Sequence, residues 1–374
     1  MKSYLSMTLI LAAFFLFAAC NNDDETGPGP VTISSINFLD ELVIPDAAQF
    51  QSTTIGGLSG IDYHEGNWYM ISDDANAPIR AYRASIDLSG DRLNSINFNQ
   101  VITLRNTSNA SFSAGTVDPE GLRFDAARNE LVWISEGNIN GGEAPQVYIS
   151  NPDGSFINTL GVSARFSGTN IADLRHNGTF ESISTSVDGD GFWVGMELPL
   201  VSDGEEPQLS DTQSPVRITY VDRESRQGQR QFAYELDPIA EAPVAPSTFA
   251  VNGLVELLQY DADRFLALER SFATGHADGG NTVKIYLVDA SGATDVLQVD
   301  DLTSASYTAA SKILLFDFES VRSQLTDGIV DNIEGITYGP QLENGKQSLV
   351  LVADNNFSAF GPQLNQLVLF EINP

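Results

Sequence analysis

The sequence is poor in cysteine, histidine and positive charge. Its 374 residues hold one Cys, Cys20, and three His, His64, His176 and His276. A single cysteine closes no internal disulfide, so the core alone must hold the fold. No two histidines stand at ligand spacing, which argues against a histidine-rich zinc site. Each reads as a loop residue among Gly, Asn and Asp. Lys and Arg number 19 against 50 Asp and Glu, a formal net charge of −31. Phosphate backbones and anionic lipid repel such a chain. Nucleic acid is therefore not an expected partner, and any membrane tie must be covalent or apolar. Phosphate loops and dinucleotide fingerprints are missing. Gly57-Leu58-Ser59-Gly60 fails as a nucleophile elbow because Ile61 follows. Yet 42% of residues are apolar and only 18% charged, which is globular composition.

The apolar run at 7–17 follows Lys2 and precedes Ala18-Ala19-Cys20. It is short for a membrane span and has the form of an export signal. The small pair before Cys20 resembles the lipoprotein cleavage box. The expectation is a signal peptide over 1–19, a lipidated Cys20, an acidic Gly/Pro tether over 20–30 and one folded domain over 31–374. The cell envelope of a bacterium, at the outer membrane and facing outward, is the compartment this implies. A lipid anchor would be the only membrane contact.

From residue 31 on, short β-forming runs separated by Gly, Asn, Asp and Pro replace any helical period, which is an all-β signature. A unit of Gly, apolar residues, a gap, an apolar strand and an acidic end recurs. It starts at 60, 121, 182, 253 and 335, with spacings of 61, 61, 71 and 82. Each copy is followed by a further strand pair. Four strands per repeat make the blade of a β-propeller, and such blades must close into a ring to bury their faces. The segment 33–44 and the strand 366–372 are expected to share the last blade. Five repeats are recognisable. The stretch 281–334, with an unassigned strand at 312–318, leaves room for a sixth blade. A pair of β-sandwiches is the alternative.

In such a ring, equivalent positions converge. The strands end in Asp73-Asp74, Glu136, Glu197, Glu269 and Asp354, and the preceding Gly segments carry Glu120, Glu181 and Glu334. The repeat thus predicts about eight carboxylates around one mouth. Converging carboxylates bind protons or a hard cation. Asn252, Asn332, Asn355 and Asn356 would add the neutral oxygens that Ca²⁺ prefers. The plainer alternative is that these residues cap strand ends. Among the scarce bases, Arg270 follows Glu269, and Lys312 lies in a strand. Arg270 is either a structural counter-charge or a clamp for phosphate or carboxylate.

Several pieces together resemble a known family. They are Gly57-Leu58-Ser59-Gly60, Asp118-Pro119-Glu120-Gly121, Asn252-Gly253-Leu254, Leu268-Glu269-Arg270-Ser271-Phe272, Asp331-Asn332-Ile333-Glu334-Gly335 and Ala353-Asp354-Asn355-Asn356-Phe357. They resemble the phytase-like family named for an esterase-like activity of phytase, over roughly 50–372. The third repeat departs most, with Ser182 where Gly is usual. The resemblance implies a secreted β-propeller with phosphomonoesterase activity, related in architecture to calcium-dependent propeller phytases. Without a His or Cys nucleophile, hydrolysis has to be metal-assisted. The expected metal set is Asp73, Asp74, Glu120, Glu181, Asn332, Glu334, Asp354 and Asn355, with Ca²⁺ as the ion. Glu136, Glu197 or Glu269 is expected to act as general base, and Arg270, Lys312 and Asn252 to bind substrate. The expected partner is a small phosphate ester or other ester, taken by a monomer. A non-catalytic propeller that binds a ligand or protein partner, and a calcium-dependent lactonase, remain alternatives.

Overall fold

Five four-stranded antiparallel sheets form the molecule in a computed structural model that describes residues 31–359 and 363–374. Blade 1 runs through Leu58–His64, Asn67–Ser72, Arg80–Asp87 and Ser95–Thr103. Blade 2 uses Pro119–Asp125, Glu130–Ser135, Gln146–Ser150 and Phe156–Leu160. Blade 3 uses Phe180–Thr185, Gly191–Met196, Pro215–Asp222 and Gln227–Glu235. Blade 4 uses Ala250–Asp261, Arg264–Ala273, Asn281–Asp289 and Ser311–Asp317. Blade 5 uses Asn332–Gln341, Gln347–Asp354 and Asn365–Asn373. The first strand of each blade packs against the first strands of its two neighbours, so these five line the axis.

Chain ends close the ring. Ser35–Ile44 adds to the outer edge of blade 5, pairing Ser35 with Asn373 and Ile44 with Asn365. The backbone groups of the last blade are thereby satisfied by the opposite end of the chain. The expected sharing of the last blade is observed. There is no sixth blade among the described residues: the strand expected at 312–318 is the outer edge of blade 4, paired with Lys284–Asp289. The expected signal peptide, Cys20 and the tether up to 30 lie outside the described residues.

Alternation along each strand sends apolar side chains to both faces, and neighbouring blades bury them against each other. The core is therefore a set of layers between blades. One layer joins Met70, Tyr82 and Trp68 of blade 1 to Val350 and Leu369 of blade 5. Another joins Tyr69 and Ile71 of blade 1 to Leu122 and Trp133 of blade 2.

The recurring glycines are not turn residues. They lie within the inner strands, where the five chains crowd the axis. A Cβ on Gly60 would stand 2.9 Å from the Gly121 Cα, and one on Gly335 2.8 Å from the Ser59 carbonyl oxygen. Close backbone approach explains the recurrence.

Candidate functional site: an acidic end of the axis

Each inner strand carries a bulge that breaks the pairing register with its neighbour, near the strand's start in four blades and at mid-strand in blade 4. The bulged residues are Ser59, Glu120 (with Gly121), Glu181, Val255 and Glu334. A bulge re-aims the side chain that it frees. The residue before each bulge pairs with Ser72, Ser135, Met196, Glu269 or Ala353 of the second strand. One position further on come Asp73, Glu136, Glu197, Arg270 and Asp354. Two stacked layers result. The bulge layer brings in Glu120, Glu181 and Glu334, and the strand-end layer Asp73, Glu136, Glu197 and Asp354, with Arg270 in the fifth place. Asp118, on the approach to blade 2, joins them.

These groups meet. Oxygens of Asp73, Asp118 and Glu120 lie within 4.8 Å of one another, as do those of Glu120, Glu181 and Glu334, and those of Glu136, Glu181 and Glu197. Glu120 links the first two triads and Glu181 the last two. Burial drives all their carboxyls upward in pKa, and mutual repulsion adds to it. Asp73 is raised well above its ordinary value by burial and by Asp118 and Asp354. Burial and neighbouring acids do the same to Glu120, Glu136, Glu181 and Asp354. Glu197 rises from 4.5 to about 7, burial outweighing the opposing charge of Arg270. Glu334 is raised by burial against the same arginine.

Arg270 is the one base in the cluster among the described residues. Its Nη2 donates to Glu334 Oε1 at 2.9 Å and stands 3.7 Å from Glu197 Oε1. Its buried Nε has no acceptor. One guanidinium cannot neutralise eight carboxylates. No hydrogen-bond donor offsets the upward push on Glu120 or Glu181. A set of converging carboxylate oxygens, with those of Glu120 and Glu181 lacking any donor, fits a hard cation such as Ca²⁺ and does not fit a soft one.

Not every expected residue comes to this end. Glu269 does not, because blade 4 carries its bulge at Val255, three residues beyond Asn252. A one-residue change of register moves a side chain to the other face of the sheet. Arg270 therefore faces the axis, and Glu269 faces the gap between blades 3 and 4. There Glu269 accepts from Tyr234 Oη at 2.5 Å and from Asn252 Nδ2 at 2.8 Å, and it pairs with Lys312. Lys312 also pairs with Asp237 at 2.7 Å and sits over the rings of Tyr234 and Tyr286. Asn252 and Lys312 are thus spent in that network, away from the acids.

Asp74 turns outward to Arg80, 2.7 Å from its Nη1. Asn355 caps backbone, accepting from Gly57 N at 3.0 Å. The Asn356 N–H donates to Asp354 at 2.7 Å. Asn332 stays at the cluster, its amide donating to Glu334 Oε1 at 2.9 Å.

Sequence reasoning missed four residues. Asp118 immediately precedes Pro119-Glu120-Gly121, and its position next to a bulge was the available signal. His176, in the connection from blade 2 to blade 3, is near enough for its charge to act on Asp118. Arg123 and Glu256 close the middle of the axis. Arg123 is the only Arg or Lys on any of the five inner strands, a signal readable in the sequence. Its Nη1 donates to the Ile61 carbonyl at 2.7 Å, and its Nη2 to Glu256 Oε2 at 2.8 Å and the Ile336 carbonyl at 3.2 Å. Glu256 also accepts from the Ile183 N–H at 2.9 Å. Blades 1, 2, 3, 4 and 5 are thus tied by one buried ion pair beneath the acids.

The sequence profile of the phytase-like family, described as esterase-like activity of phytase, matches residues 53–357. No curated protein sequence matches the chain. Among solved structures, an exo-β-1,3-galactanase from Clostridium thermocellum is similar at 12% identity and a TM-score of 0.46, over 89% of this chain and 63% of that one. An exo-1,5-α-L-arabinanase from a bovine ruminal metagenomic library is similar at 11% identity and a TM-score of 0.41, over 87% and 96%. At such distances neither the substrates nor the catalytic residues of those enzymes transfer to this chain.

Proposed function

This chain belongs to the phytase-like family, and from that premise we propose that it is a cation-assisted hydrolase of phosphate esters that works at the acidic end of the axis. The observation that carries the reading is the three overlapping carboxylate triads within 4.8 Å. Asp73, Asp118, Glu120, Glu181 and Glu334 would hold Ca²⁺. Bound there, the ion would offset the negative charge of the phosphoryl group and acidify a water.

The remaining roles fall to the chain's own residues. Glu197, with its carboxyl near 7 and one oxygen turned to Arg270, has the affinity for a proton that a general base needs at neutral pH. It takes the proton of the attacking water as oxygen bonds to phosphorus. The bond from phosphorus to the leaving oxygen then breaks, and that oxygen regains a proton from the protonated Glu197. Arg270 offers its unpartnered Nε–H to a phosphoryl oxygen. Glu136 is anchored by the Thr179 N–H at 2.5 Å and flanks the base. Release of phosphate from aryl phosphates, abolished by chelator and restored by Ca²⁺, is the test. Absence of turnover on phosphate esters would sink the reading, and lactone turnover in its place would select the lactonase.

A second reading is a non-catalytic cation-binding propeller. It is favoured by the engagement of Arg270 with Glu334 and of Lys312 with Asp237 and Glu269, which leaves few cations for a phosphate. Tight Ca²⁺ binding by calorimetry without product formation would select it. For location, we infer a lipid anchor at Cys20 on the bacterial envelope, supported by the sequence around it. Cys20→Ser should move the protein from the membrane to the soluble fraction, and an unchanged distribution would refute the anchor.

A further inference from the structure

The inner strands begin, and the second strands end, at the acidic end of the axis. The loops there are therefore the connections between blades and those from second to third strands. They carry six bases: Arg105, Arg165, Arg175, His176, His276 and Arg322. Arg165 pairs with Asp300 at 2.7 Å, Arg175 with Glu206 at 2.7 Å, His276 with Glu241 at 3.2 Å and Arg322 with Glu319 at 2.5 Å. Arg105 donates to the Ser111 hydroxyl at 3.0 Å. Among the described residues, His176 alone of the six has neither an ion pair nor a hydrogen bond, and it is exposed.

Its place is nonetheless fixed on both sides. Before it, the Asp173 carboxylate accepts from the Ser202 N–H at 2.8 Å and from the Ser202 hydroxyl at 2.7 Å. Arg175 donates to the carbonyls of Pro199 and Gly204 at 2.9 Å. After it, the Gly178 carbonyl accepts from the Leu198 N–H at 3.2 Å, and the Thr179 carbonyl from the Glu197 N–H at 2.7 Å. Asn177, with φ at 55°, turns the chain between them in the left-handed region that Asn tolerates. The 173–179 turn is thus stitched to the segment 197–204, which begins at Glu197. Its far end also meets Glu136, through the Thr179 N–H.

An exposed side chain without partners adds no packing to such a mount. What the mount fixes is the position of the imidazole relative to Glu136 and Glu197. Asp118 is near enough for the charge of His176 to act on it. An anion arriving at this end meets the clustered acids and one arginine already bonded to Glu334. A cation on the acids would offset the repulsion, but the anion's outward oxygens would still need donors.

We propose that His176 is an anion contact at the rim of the acidic end, donating a ring N–H to a phosphoryl oxygen of the ligand. The identity of that ligand as a substrate rests on the hydrolase reading, whereas the contact with phosphate does not.

The test uses inorganic phosphate in the presence of Ca²⁺. Phosphate should shift the His176 ring signal in the NMR spectrum, identified by its loss in His176→Ala, and leave those of His64 and His276 in place. By calorimetry, phosphate should bind His176→Ala about fivefold more weakly, and His176→Arg should restore the wild-type affinity. KM for p-nitrophenyl phosphate should rise about fivefold in His176→Ala while kcat holds within about twofold. A His176 signal that saturating phosphate does not move, or an affinity that the alanine variant leaves unchanged, would overturn the contact, and intact turnover would then leave the hydrolase reading standing. Phosphate bound through His176 without turnover of any phosphate ester would support the contact and overturn the hydrolase reading instead.

Discussion

Blade 4 differs from the other four blades at both layers of the acidic end. Blades 2, 3 and 5 place Glu120, Glu181 and Glu334 at the bulge, and blades 1, 2, 3 and 5 place Asp73, Glu136, Glu197 and Asp354 at the strand end. Blade 4 places Val255 and Arg270. Immediately after its bulge stands Glu256, where blades 1 and 5 have glycine, and that carboxylate goes down the axis to Arg123 of blade 2. One blade thus supplies the counter-charge of the cluster and the acid of the central ion pair. The lesson concerns balance. At mid-axis one cation meets one anion, and backbone groups of all the neighbouring strands bond the two, so the product is structure. At the end eight acids meet one cation, and the surplus is an affinity for something else.

The largest effect should come from the balanced pair. Arg123→Met leaves Glu256 buried without its partner and should cost about 3–5 kcal/mol of stability by denaturant unfolding. Adding Glu256→Gln should recover more than half, because the amide oxygen still accepts from Ile183. A cost under about 1 kcal/mol would break the contrast between the two regions.

Next comes Arg270→Gln. In chelator it should lose about 3 kcal/mol, and saturating Ca²⁺ should restore most of that loss, since the ion replaces the missing charge. A loss that Ca²⁺ does not touch would mean that Arg270 serves packing alone.

Glu181→Gln should behave oppositely. Removing a charge from the place where two triads meet should leave the chelated protein as stable as the wild type or more so. Its Ca²⁺ affinity by calorimetry should fall about tenfold. Unchanged affinity would remove Glu181 from the cation set.

The mildest expectation concerns pH. Glu197 has a folded pKa of about 7 against an ordinary 4.5, and burial raises its neighbours too. A raised carboxyl keeps its proton better when folded. Its stabilising contribution is fully present below the ordinary carboxyl pKa and is lost as pH rises through the folded value. In chelator, Tm should fall by a few degrees between pH 5 and pH 8, and Ca²⁺ should flatten that slope. A Tm that rises over this interval would contradict the raised values.

Much of this could be read along the chain. The recurrence at 60, 121, 182, 253 and 335 identified the blades, because the close approach of five inner strands demands a small residue at the same step in most of them. Asp73, Glu120, Glu136, Glu181, Glu197, Glu334 and Asp354 were readable from their shared register. Blade 4 was not, since its Asn252-Gly253-Leu254 imitates the repeat while its bulge falls at Val255. Nothing local distinguishes the two registers. The choice follows from packing, because Glu256 finds Arg123 only when Val255 is the residue left over.

Sequence alone determined the all-β class, the closure of the last blade by 33–44 and the gathering of most acids, because these follow from periodicity and repetition. Tertiary structure decided five blades over six, Arg270 over Glu269 and the removal of Lys312 and Asn252 to another network. It also decided the plug of Arg123 and Glu256. Those outcomes depend on which side of a strand a residue faces after a bulge, and on contacts between residues of different blades, 133 positions apart for Arg123 and Glu256. No local pattern encodes either one.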